Sequence, residues 1–146
     1  MMQLPDYVTL EEVRRVCGEL GISDWTAMER PDVSTDEAAV ILKEMDIGDM
    51  KVVLEDFRQG LEVELEHGLM FKEANVTNNH PILTGKIVMA HFKETLDYYK
   101  RLDVAEIEGD LFKAARAGQS EKFEILYKKL IIAKKILAET ESREIG

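Results

Sequence analysis

The stretch from Phe57 to Leu102 most restricts what this chain can become. It reads FRQGLEVELEHG, a polar connection containing NVTNNHP, then TGKIVMAHFKETLDYYKRL. Apolar residues recur every three or four positions on each side: Phe57, Leu61 and Leu65, then Val88, Phe92, Leu96, Tyr99 and Leu102. That spacing is one face of a helix. It predicts a third helix over 49–67, which Gly68 stops, and a fourth over 81–102. Pro81 falls in the first turn of the fourth, where a missing N–H costs nothing, and Asn79 or His80 is placed to cap it. A loop of about ten to fifteen residues favours antiparallel neighbours, so a central helix hairpin is expected. Gly60 and Gly85 are small enough to let these two helices approach closely.

Upstream, residues 9–22 and 34–47 read as two versions of one unit. Each opens on a capping-box pattern, Thr9-x-x-Glu12 and Ser34-x-x-Glu37. Each continues with an apolar stripe, Val13, Val16, Cys17 and Leu20, then Ala38, Ile41, Leu42 and Met45. Gly21 and the run Asp46-Ile47-Gly48 end them. Trp25, in the connection, is expected beneath the helices. Cys17, the single cysteine, reads as a buried thiol.

Downstream, Asp103 is placed to cap a fifth helix to about Ala117, closed by Gly118. Ser120 opens a sixth to about 138, with fraying expected in TESREIG. The sixth helix is apolar over a face wider than a coiled-coil seam, so it is either well buried or shared with a partner. No stretch alternates in the manner of a strand. The expectation is an all-α bundle of about six helices, with a core over 1–103 and a two-helix extension over 104–146, together forming one domain.

Two histidine–carboxylate pairs stand on the central helices: Glu64-x-x-His67 and His91-x-x-Glu94. Residues three apart share a helix face. A continuous fourth helix also brings Tyr98 to the side of His91, as a ligand-binding candidate. Two glutamates and two histidines suit one divalent metal: zinc, iron or manganese. The same residues also read as structural His–Glu pairs between helices, or as a solvated charged face. A two-metal centre of the helix-bundle kind needs two further glutamates.

Charge and motifs exclude several classes. The net charge of −10 argues against general nucleic-acid binding. No phosphate-binding glycine loop or nucleophile elbow is present. No apolar run approaches the length of a membrane span, and the acidic start lacks the character of a secretory signal, so no membrane role and a cytoplasmic location are expected. Between Leu111 and Ala138, seven basic residues face two acidic ones. This basic arm suits an acidic neighbour, and homo-oligomerisation through the C-terminal helix is the partner expectation.

Several motifs resemble those of the DUF5661 family of small bacterial, archaeal and phage proteins. They are Phe57-Arg58-x-Gly60, Val63-Glu64-x-Glu66-His67-Gly68, Asn75-Val76-Thr77, Thr84-Gly85-Lys86-Ile87-x-x-Ala90-His91-x-x-Glu94 and Asp97-Tyr98-Tyr99-x-Arg101-Leu102. The resemblance runs from about Thr9 to Leu102. It departs at Asn79-His80, where the family pattern carries two aspartates, and the last two helices extend beyond it. The resemblance implies no activity, but it places Glu64, His67, His91 and Glu94 within the family signature.

Overall fold

Hydroxyl caps start the first two helices, as the sequence predicts. In the computed structural model, which describes residues 1–146, the Thr9 side chain accepts the N–H of Glu12 at the head of α1, Leu10–Leu20. Ser34 and Glu37 complete a reciprocal capping box on α2, Thr35–Lys43. The Thr9 box is only half made, because Glu12 turns instead to Arg15. Gly21 closes α1 in the left-handed conformation, φ +68°, which a glycine adopts without steric cost.

The chain divides into two compact units, Met1–Glu94 and Thr95–Gly146. The first contains α1, a 3₁₀ turn at Trp25–Ala27, α2, α3 (Leu54–Met70), a second 3₁₀ turn at Lys72–Ala74, and α4 (Pro81–Glu94). α3 packs against both α2 and α4. Val13, Trp25, Ala38, Ile41, Phe57, Leu61 and Val88 are wholly removed from solvent. They are the apolar positions of the predicted stripes, and Trp25 lies beneath the helices as expected. Its indole N–H has no hydrogen-bond acceptor. Cys17 is buried too, and burial pushes its thiol pKa up.

Side chains tie the connections to this core. Glu37 accepts from the backbone N–H of Ser23 at 3.0 Å as well as from Ser34, joining the end of α1 to the start of α2. Arg58 and Glu62, one turn apart on α3, hold both backbone groups of Val33. Arg58 donates to its carbonyl at 3.2 Å and Glu62 accepts its N–H at 3.0 Å.

Two predicted glycine roles differ. α3 runs two residues past Gly68, because that glycine makes room rather than ending the helix. A Cβ there would meet the Asn75 side chain at 2.7 Å. At Gly85 a Cβ would meet Ile41 at 3.0 Å and Met45 at 3.1 Å, so its near neighbours include the second helix and the turn after it. α3 also starts at Leu54 rather than 49, since the chain is still extended at Val53.

The largest difference lies at 95–97. The predicted fourth helix to Leu102 ends at Glu94, and α5 runs from Tyr98 to Arg116. Asp97 explains the break. Its carboxylate is buried, accepts from Thr95 Oγ1, and takes a two-pronged contact from Arg101, with Nε at 2.9 Å and Nη2 at 2.7 Å. A short polar side chain that bonds its own neighbourhood competes with continued helix. Burial alone would raise the Asp97 pKa, but the hydrogen bonds from Arg101 and Thr95 outweigh it and hold the carboxyl below its ordinary value.

The second unit is a helix hairpin, α5 with α6, Ser120–Ile145. Gly118, at φ +66°, turns the chain between them. α6 continues to Ile145 where fraying is predicted. Thr140 bonds back to the Ile136 carbonyl, and Glu141 receives Arg101 at 3.2 Å. Leu111, Ala114, Leu130 and Ala133 form the buried seam.

Candidate functional site

α3 and α4 bring part of the predicted cluster together. Nε2 of His91 stands 3.4 Å from Oε1 of Glu64, and its Nδ1 stands 3.7 Å from Oε2 of Glu94. The imidazole therefore lies between one carboxylate from each helix. Glu64 and His91 are largely covered, at 18% and 28% side-chain exposure, whereas Glu94 is open at 70%.

His67 does not join them. It stands three residues beyond Glu64, about 4.5 Å further along the helix axis, and is exposed to solvent. No three His, Cys, Asp or Glu side chains converge in a way that holds a metal ion. The expected four-ligand set of Glu64, His67, His91 and Glu94 is thus not assembled. Sharing a helix face is necessary for convergence but does not ensure it: Glu64 meets His91, and His67 is exposed. Glu62, a neighbouring carboxylate on α3, is bonded to Val33 and Arg58. Tyr98 no longer extends α4 past His91, since the helix is broken between them. It opens α5, with its ring edge-on to Tyr99 at 5.1 Å. What the geometry provides is an acid–imidazole–acid arrangement, with His91 between Glu64 of α3 and Glu94 of its own helix.

The polar residues that organise the first unit lie instead in the Asn-rich connection. Asn78 and Asn79 both take positive φ, +48° and +62°, a conformation that asparagine enters more readily than most residues. The Asn79 amide donates to the Trp25 carbonyl at 3.1 Å and its oxygen accepts from Asn75 at 2.8 Å. Asn78 donates to the Val8 carbonyl at 2.6 Å. His80 caps α4: its Nδ1 accepts the N–H of Leu83 at 3.4 Å and its carbonyl receives the Thr84 hydroxyl at 2.8 Å. Burial pushes the His80 pKa below its ordinary value, against the pull of Glu12. A cleft of about 260 Å³ borders this loop, lined in part by Asn75, Asn78, Asn79 and Lys72. The asparagine amides named above are already spent on the fold.

The motifs that line α3, the loop and α4 are those of one family, whose match spans residues 13–108. The chain belongs to the DUF5661 family. It is described as a protein of unknown function, so membership carries no activity to this chain. The DUF5661 match also runs past the break at 95–97 and into α5, further than the resemblance in the sequence alone. No curated protein and no solved structure matches the chain. No helix is long and apolar enough to cross a membrane.

α6 presents the other candidate surface. Phe123, Ile125, Tyr127, Ile131, Ile132 and Ile136 are all exposed, at 39% to 60%, while only Leu130 and Ala133 are buried. The breadth of this face was legible in the sequence; the structure leaves it exposed rather than buried.

Proposed function

We propose that this protein is a non-enzymatic association module that pairs with a second copy of itself through α6. The observation that supports this reading is the exposed row Phe123, Tyr127 and Ile131. These residues repeat every four positions, and the Phe123 and Tyr127 rings are stacked 6.3 Å apart. An antiparallel pair centred on Tyr127 sets Phe123 of one copy against Ile131 of the other, twice over, as a two-fold interface requires. No lysine meets lysine across that row. Each of these half-exposed side chains offers on the order of 1 kcal/mol when covered, so the dimer is weak and depends on concentration.

The test is light scattering on the full chain over a dilution series. A mass above the 16.7 kDa of one chain that falls on dilution, and that Phe123→Ser with Ile131→Ser reduces to one chain, supports the reading. A strict monomer at every concentration removes it.

A further inference from the structure

α6 carries a second exposed stripe that the self-association row does not use. Ile125, Ile132 and Ile136 stand at spacings of seven and four, and are 57%, 60% and 45% exposed. At about 100° per residue they fall within a strip roughly 40° wide, on the far side of the buried seam from Tyr127. So narrow a strip has the form of a coiled-coil seam rather than the broad face of an interfacial membrane helix.

Its borders are basic. Lys128 and Lys135 run along one edge, Lys122 and Lys129 along the other, and all four are exposed. Glu121 and Glu139 stand only at the ends of the first edge. Lys128 and Lys135 touch Glu124 and Glu139, at 2.9 and 3.9 Å, but these are solvent-exposed pairs and hold the lysines weakly. The lysines occupy the middle of the stripe. A second α6 laid along it therefore sets lysine against lysine in either direction. Flanking charges choose the partner in paired helices, and here they reject a copy. An anionic lipid surface fits poorly as well, because Met1–Glu94 has 19 acidic against 9 basic residues.

We infer that the Ile125–Ile132–Ile136 stripe docks an amphipathic helix of another protein whose flanking positions are acidic. This rests on the reading of α6 as an association element, and it assigns the second stripe a partner of different chemistry.

The probe is a labelled peptide of several heptads with isoleucine and leucine at the seam and glutamate at every flanking position. A control peptide carries lysine there instead. Anisotropy titration uses the full-length chain. The expected result is that the glutamate peptide binds about tenfold or more tighter than the lysine peptide, with the gap closing at high salt. Ile132→Ser, and separately Ile125→Ser, abolish binding while the helical circular dichroism is unchanged. Lys128→Glu with Lys129→Glu inverts the preference. Equal binding of the two peptides, no binding of either, or binding that survives both serine substitutions overturns the inference. So does a drop in mass with Ile132→Ser, which shows a second copy on the stripe, or co-sedimentation with phosphatidylserine vesicles that Ile132→Ser removes. A chain that is strictly monomeric yet binds the glutamate peptide loses the Tyr127-centred dimer and keeps this site.

Discussion

The two units keep their helices together by different means. In Met1–Glu94 seven apolar side chains reach zero exposure, and the connections are bonded into the unit, Val33 to Glu62 of α3 and Asn79 to the Trp25 carbonyl of the other connection. In Thr95–Gly146 the best-buried apolar side chain is Ala114 at 1%, and the rest of the seam stays at 6% to 9%. Two helices alone enclose little; a third or fourth element is needed before a residue is surrounded. The contrast teaches that specificity in the first unit resides in its loops, while the hairpin leaves apolar surface for use elsewhere.

The strongest test of this contrast is a matched pair of truncations. Phe57→Ala is expected to cost about 3–5 kcal/mol in urea unfolding, and Leu130→Ala about 2 kcal/mol, the lower end for a residue whose site is partly open. Equal losses would break the comparison. Next is the loop. Asn79→Ala removes the donor to the buried Trp25 carbonyl and forces alanine into positive φ, for a loss of about 2–3 kcal/mol. A loss under half of that, with the Trp25 fluorescence unmoved, would mean the loop follows the helices rather than directing them.

A smaller effect separates the units by pH. All three histidines lie in the first unit and none in the second. The folded pKa of His80 is lowered, so its contribution is fully present above the unfolded value of about 6.5 and is lost as pH falls through the folded value. Amide protection factors in α4, corrected for the intrinsic pH dependence of exchange, should therefore fall on acidification through that window, and His80→Asn, which keeps a capping acceptor, should flatten the response. Protection in α5 and α6 should hold until the carboxylate range, where Asp97, also lowered, takes up its proton and releases Arg101. The smallest effect is Arg15→Ala. Its contacts to Glu12 and Glu19 are short but fully solvated, and no change in the urea midpoint is expected.

Much of the helical order was legible because apolar spacing and hydroxyl caps act locally. Thr9, Ser34, Pro81 and Gly118 mark element ends by chemistry that needs no neighbour. The break at 95–97 was hidden, since Asp97 reads as one more polar position until Arg101 and Thr95 close around it. The geometry of the four-residue set was hidden for a related reason. Spacing shows which residues share a face, but not the level at which two helices meet. The asparagine loop did carry a signal: consecutive Asn78 and Asn79 before Pro81 mark a chain turning through positive φ.

Gly68 has one further consequence. Asn75-Val76-Thr77 spells an acceptor for N-linked sugar. The Asn75 side chain lies against the bare Cα of Gly68, and its nitrogen is bonded to Asn79. A sugar on that nitrogen would crowd Gly68 and the bond to Asn79. Attachment there would therefore work against the packing of the loop on α3.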